Sequence, residues 1–317
     1  MKKQGFYLFV IIVLFVMIAM TGCAPRASVN EEGKVTVITT FFPLYDFAGA
    51  IGGEYVNVVN LVPAGVDPHD WEPKSRDMMN ISKAQLLLYQ GAGFEGWMDE
   101  VLSGIDTKSM VIVEASQGID LIDVTQADER IEEGHDHDHE HDHGLHDPHT
   151  WLSPRSALTM ARNVLNGLKE ADPENTAQYE MNFAALEADL LALDQKFSEQ
   201  LSNVSNKEMV VSHQAFGYLA RDYGLVQMPL SGITAEGEPT SQDLVEISKF
   251  VKEHGVTHIF VEQFASVQLA KTLAEDLGLQ TLPLHPLEGL TEDEAASGET
   301  YISLMERNLE QLVTALK

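Results

Sequence analysis

One long apolar stripe divides this chain. Pro173 opens a periodic segment in which Phe183, Leu186, Leu190, Leu193, Phe197 and Leu201 recur at spacings of 3, 4, 3, 4 and 4. That rhythm puts one apolar face on a helix over 173–203, up to ~30 residues and about 45 Å long. Asp172 is placed to cap it, and Pro173 suits the first helical position because its fixed φ is already helical. A coiled-coil dimer is the competing reading. A single stripe of about four heptads, flanked on both sides by alternating strands and helices, fits an intramolecular spine and a monomer.

On either side of the stripe, short β-rich runs alternate with helical stretches. Before it, residues 35–38, 56–62, 86–89 and 110–113 read as strands, with helices over 44–51, 76–83 and 95–102. After it, 209–211, 225–230, 256–261 and 279–284 read as strands, with helices over 216–223, 242–254, 267–277 and 300–316. Such alternation predicts parallel sheets with crossover helices. The expected fold is therefore α/β. Two lobes of mostly parallel sheet, residues 34–172 and 204–317, are bridged by one long rigid helix.

The first residues read as an address. Lys2 and Lys3 precede Phe6 to Met20, an unbroken run of 15 apolar residues. That is shorter than the roughly 20 residues a transmembrane helix needs, and it has the form of an export signal. Met20-Thr21-Gly22-Cys23 is similar to the bacterial lipobox. Cys23 is also the sole cysteine, so an intrachain disulfide is excluded and a lipid anchor on Cys23 is expected. Residues 1–22 then form the signal, and 23–33 a flexible tether. The chain carries 20 Lys and Arg against 49 Asp and Glu, a net charge of −29. So acidic a surface repels phosphate backbones, which excludes nucleic acid as a partner.

Four histidines stand out by position. His69 lies in Val66-Asp67-Pro68-His69-Asp70-Trp71, just past the second predicted strand. His149 lies in Asp147-Pro148-His149-Thr150-Trp151. His213 ends the strand that contains 209–211, and His285 follows the last strand. Ligands of open α/β sheets gather outside the carboxyl ends of the strands. Two histidines come from each lobe, so all four can meet in the cleft between them. The repeated Asp-Pro-His-x-Trp points to one structural role used twice, with the acids orienting the rings. Four imidazoles would hold Zn²⁺ tetrahedrally, whereas Mn²⁺, Mg²⁺ and Ca²⁺ prefer more oxygen; Cu²⁺ and Ni²⁺ would also bind tightly, so affinity alone does not identify the metal. Glu288, three residues beyond His285, is the alternative fourth ligand.

A second histidine group is different in kind. His135, His137, His139, His141 and His143 alternate with acids, and His146 follows. Residues 128–147 are polar and without apolar period, so they are expected to form a loop that gathers divalent cations weakly at several points. His254 and His258 flank Gly255 between a helix and a strand and read as structural.

These motifs occur together with Thr39-Thr40-Phe41-Phe42-Pro43-Leu44-Tyr45-Asp46-Phe47, Ser212-His213-Gln214-Ala215-Phe216 and Glu236-Gly237-Glu238-Pro239-Thr240. In their order and spacing, from Val35 to Lys317, the sequence resembles the metal-binding lipoproteins of zinc and manganese ABC importers, the ZnuA/AdcA type. The resemblance implies a non-enzymatic, high-affinity extracytoplasmic protein that captures Zn²⁺ and delivers it to an ABC permease with its cytoplasmic ATPase. It implies ligands at His69, His149 and His213, a fourth that varies, one tight Zn²⁺ site, and limited lobe movement about the spine helix. It also implies anchoring through lipidated Cys23 to the outer face of a bacterial cytoplasmic membrane. His285 and the histidine-rich tract look like the zinc branch; manganese members carry carboxylates at the fourth position and elsewhere in the site. The readings from other classes are a zinc-dependent hydrolase, with three histidines and Glu288 as base, and extracellular zinc buffering or adhesion.

Overall fold

In the computed structural model, described here for residues 33–124, 146–234, 239–263 and 267–317, the chain builds two parallel sheets of the same design. The expected signal, Cys23, all of the tether but Gly33, and the histidines from 135 to 143 lie outside these residues.

The first lobe runs β1 (Val35–Thr39), α1 (Phe42–Gly52), β2 (Val56–Asn60), α2 (Ser75–Ile81), β3 (Leu86–Tyr89), α3 (Met98–Gly104) and β4 (Val111–Glu114). Its strands lie in the order β2-β1-β3-β4, all parallel. Two antiparallel helices follow, α4 (Pro154–Ala171) and α5 (Thr176–Ser202). The second lobe runs β5 (Glu208–Val211), α6 (Gly217–Tyr223), β6 (Val226–Pro229), α7 (Ser241–His254), β7 (His258–Val261), α8 (Val267–Leu277), β8 (Gln280–Pro283), α9 (Glu292–Ser297) and α10 (Tyr301–Leu316). Its strand order, β6-β5-β7-β8, repeats the first. In each sheet the chain leaves its first strand to one side and its third to the other. The carboxyl ends of β1 and β3, and of β5 and β7, thus flank a switch point where ligands collect.

The strands are short and apolar on both faces, as buried parallel strands must be. Leu86 and Leu88 face the central core, while Leu87 faces a second cluster with Ile38, Met98 and Val101. In the other lobe Met209 and Val211 face the central core, and Val210 faces Ile247, Val251 and Ile259. The central core is continuous through both lobes because α5 runs through it. Tyr179, Phe183, Leu186, Leu190, Leu193, Phe197 and Leu201 form its buried face. They pack with Ile51 and Val164 of the first lobe and Leu219, Leu309 and Leu312 of the second.

Two details of the spine differ from expectation. Pro173–Asn175 form a separate 3₁₀ turn, so the α-helix starts at Thr176. Asp172 does not cap it; its carboxylate accepts from the Tyr179 hydroxyl at 2.6 Å and the Asn175 amide at 2.7 Å. Helix α4 was absent from the sequence reading. Pro154 starts it, and Ala157, Met160, Ala161, Val164, Leu165 and Leu168 form its buried face.

Hydrogen bonds also tie the lobes directly. The Gly65 N–H donates to the Leu290 carbonyl at 2.7 Å, and the Tyr218 hydroxyl donates to the Asp147 carbonyl at 2.6 Å. The Tyr301 hydroxyl donates to the Trp151 carbonyl at 2.6 Å.

Candidate metal centre

Four loops at strand carboxyl ends converge between the lobes. Two carry the Asp-Pro-His motif, and both form the same turn. The His69 N–H donates to Asp67 Oδ1 at 2.9 Å, and the His149 N–H donates to Asp147 Oδ1 at 2.9 Å. An aspartate side chain that accepts two residues on closes such a turn by itself. The partner tryptophans differ. Trp151 is buried, while Trp71 stacks edge-on with Trp97 at the first lobe's surface. Gln90, just past β3, donates its amide to Pro148 O and Thr150 Oγ1 at 2.8 Å each, which steadies the His149 loop. Buried Glu95 in turn accepts from the Gln90 and Gly91 N–H groups; its burial raises its pKa to about 7, although these bonds and that from Thr40 oppose the rise.

His213 follows β5, and its backbone N–H donates to Glu262 Oε1 at 3.1 Å. Glu262 follows β7, the neighbouring strand, and its Oε2 closely faces His213 Nδ1. Glu288 arrives from the loop after β8. Its Oε1 lies 3.3 Å from Nε2 of His69, of His149 and of His213 alike. The Nε2 atoms of His149 and His213 are 3.4 Å apart. His149, His213 and Glu288 are buried, and the side chain of His69, a half-buried residue, is only 8% exposed.

These distances have a chemical meaning. Nδ1 of His149 lies 2.8 Å from Asp147 Oδ1, and Nδ1 of His213 faces Glu262. A carboxylate only accepts, so in each neutral ring the proton sits on Nδ1 and the lone pair on Nε2. Those lone pairs point at one another and at a carboxylate oxygen. Four electron donors in a buried cleft call for a cation at their centre. A tetrahedral Zn²⁺ with bonds of roughly 2.0–2.1 Å separates its ligand atoms by about 3.3 Å, which matches the spacings found.

The electrostatics agree. Burial alone would raise the Glu288 pKa, but His69, His149 and His213 outweigh it and hold the carboxyl well below its usual range. Burial opposes a charge on His149, yet Asp147 and Glu288 raise its pKa. Burial likewise opposes a charge on His213, and Glu262 with Glu288 push its pKa well up. The cleft is built for positive charge, whether protons or a metal ion.

The fourth donor is thus Glu288, and the expectation of His285 as ligand is corrected. The His285 ring turns away: its Nδ1 accepts from the Leu287 N–H at 2.8 Å, and its Nε2 lies 3.4 Å from Glu294 Oε2. Of the residues expected to gather metal weakly, His146 alone is described; its backbone bridges to Asp123. Glu262 is the functional residue the sequence reading missed. An acid directly after the apolar run 259–261, at the carboxyl end of a strand, was the available signal.

Comparison with known proteins places the chain. Residues 37–315 match the family described as zinc-uptake complex component A, periplasmic (ZnuA). The sequence is 38% identical over 318 residues to the high-affinity zinc uptake system protein ZnuA of Bacillus subtilis, covering 100% of this chain and 99% of that protein. It is 36% identical to the zinc-binding protein AdcA of Streptococcus pyogenes over 98% of this chain, but spans only 61% of that relative's length. The fold is similar to the Zn(II)-bound ZnuA-like domain of Streptococcus pneumoniae AdcA, with a TM-score of 0.75, 34% identity, and coverage of 90% of this chain and 99% of that domain. On sequence and on fold alike, this chain belongs to the ZnuA family of zinc-uptake proteins.

Proposed function

We propose that this protein binds Zn²⁺ as cargo outside the cytoplasm and hands it to an ABC importer. One observation carries the reading: a single Glu288 oxygen stands 3.3 Å from three histidine Nε2 atoms. Three nitrogens and one oxygen favour Zn²⁺ over Mn²⁺, which takes more oxygen and more ligands. Four protein donors also speak against a hydrolase, because catalytic zinc keeps one position open for water. The names of the relatives, a zinc uptake protein and a zinc-binding protein, support the same cargo.

The partners follow from that role: a permease in the membrane and the ATPase that drives it. The export signal over 1–22, lipidation of Cys23, the tether over 23–33 and the division into lobes at 34–172 and 204–317 about the 173–203 spine belong to this proposal. So does weak auxiliary capture by His135, His137, His139, His141, His143 and His146. The Streptococcus pneumoniae relative named a zinc-binding lipoprotein supports the anchor.

The test is a competition titration of purified protein with Zn²⁺ and a chromophoric chelator. One tight equivalent is expected, lost by orders of magnitude in His213→Ala. Unchanged affinity in that variant would refute the site. Deleting residues 128–143 should leave the tight equivalent in place and remove only weaker binding.

A further inference from the structure

The loop that carries the fourth donor repeats a device found at the first two. In Asp67-Pro68-His69 and Asp147-Pro148-His149, an aspartate oxygen accepts the N–H two residues on, across a proline. In His285-Pro286-Leu287 the same bond is made by an imidazole: the Leu287 N–H donates to His285 Nδ1 at 2.8 Å. His285 thus takes the place that aspartate has in the other two turns, and the proline restricts the backbone in all three.

The third turn has more to hold. Leu287 has a φ of 57°, in the left-handed region, and its side chain is fully buried. That conformation is strained for a non-glycine residue and persists only where its surroundings enforce it. Two clamps do so. One is the bond from Leu287 to the His285 ring. The other is the buried side chain of Asn308, which accepts the His285 N–H at 2.8 Å and donates to the His285 carbonyl at 2.7 Å. Glu294 steadies the far side of the ring. The next residue after Leu287 is Glu288, so the direction of its side chain depends on this turn.

We propose that His285 is a positioning residue for the metal centre. Its Nδ1 replaces an aspartate oxygen in a proline turn, holds Leu287 in the left-handed conformation and aims Glu288 at the three histidines. The inference rests on the zinc reading above and deepens it.

Two substitutions separate the acceptor from the ring. His285→Asn keeps an acceptor near Nδ1, and His285→Phe keeps a ring without one. Zn²⁺ affinity is measured by chelator competition, and donor geometry by the visible spectrum of the Co²⁺-loaded protein. Groups that orient a ligand change affinity by roughly 10- to 100-fold. His285→Phe should weaken Zn²⁺ by that factor, keep one equivalent, and lose the intense bands of four-coordinate Co²⁺. His285→Asn should stay close to the unaltered protein in both measurements. Folding is checked by circular dichroism, and His285→Ala replaces the phenylalanine variant if that one does not fold. Unaltered affinity in the variant lacking an acceptor, or equal loss in both variants, would overturn the proposal. Absence of a tight Zn²⁺ equivalent in the unaltered protein would instead sink the zinc reading, and this inference with it.

Discussion

The indole N–H of Trp151 donates to the carbonyl oxygen of Pro286 at 2.7 Å. This bond joins the loop of one lobe that carries His149 to the loop of the other that carries Glu288. Trp151 is fully buried and its ring also packs on Phe41 and His149. The cleft is therefore pinned shut beside the metal donors as well as bridged by α5.

Breaking that bond should loosen the centre without removing a donor. Trp151→Phe keeps a ring but leaves the Pro286 carbonyl unpaired in a buried setting, at a cost of about 1–3 kcal/mol. The expected result is a lower melting temperature and weaker Zn²⁺ binding, still at one equivalent. Equal affinity and equal melting temperature would show that the bond contributes nothing.

Glu262 should matter although it is not a donor. It holds His213 by two contacts, the backbone N–H and Nδ1, and so fixes which ring nitrogen faces the metal. Removing a carboxylate behind a metal-bound imidazole costs roughly 10- to 100-fold in affinity. Glu262→Ala is expected to show that loss in the chelator competition, smaller than the loss in His213→Ala. A loss as large as that of His213→Ala would mean that Glu262 itself acts as a donor.

The sequence carried the architecture well because parallel strands buried on both faces are short apolar runs, as in Leu86-Leu87-Leu88, and because the α5 stripe is made of large residues. Helix α4 carries a legible signal too: behind Pro154, Met160, Val164, Leu165 and Leu168 recur at helical spacing, while Ala157, Ala161 and Gly167 on the buried side let the helix come close. A Cβ on Gly167 would stand 2.7 Å from a Val113 methyl carbon. His69, His149 and His213 were legible from motif and strand end. The choice between His285 and Glu288 was not, since both lie in an irregular loop where neither strand nor helix period applies. The left-handed Leu287 between them reverses which one faces the cleft. Glu262 escaped because its partner, His213, lies on a neighbouring strand.

Zinc binding should be strongly pH-dependent. His149 and His213 have pKa values raised above the ordinary histidine value of about 6.5. In the metal-free protein these rings hold protons that Zn²⁺ must displace. Apparent affinity should therefore begin to fall at a pH above the ordinary histidine range and keep falling as the pH drops. Calorimetry at neutral pH in buffers of different ionisation enthalpy should show proton release on binding. Stability of the chelated protein should run the other way on the basic side. A raised histidine pKa stabilises the fold fully below the unfolded value and loses that contribution as pH rises through the folded value. Glu288, held low, contributes above its unfolded value and loses that contribution as pH falls through its own depressed value. A metal-free melting temperature that rose steadily from pH 6 to 9 would contradict this account.

The continuous core predicts that the lobes unfold together. Leu190 sits fully buried in the face of α5, within the cluster shared by both lobes. Leu190→Ala removes buried volume there and should cost about 2–5 kcal/mol. Of the three tryptophans, Trp71 and Trp97 pack on each other within the first lobe and Trp151 sits at its junction with the second, so their fluorescence is weighted toward the first lobe, while far-ultraviolet circular dichroism reports both. If α5 couples the lobes into one cooperative unit, the two signals should give one coincident urea transition in the unaltered protein. In Leu190→Ala both should shift to lower urea by the same amount. A second lobe that melted separately would leave a dichroism transition that the fluorescence does not follow, and α5 would then be a tether between independent lobes rather than their common core.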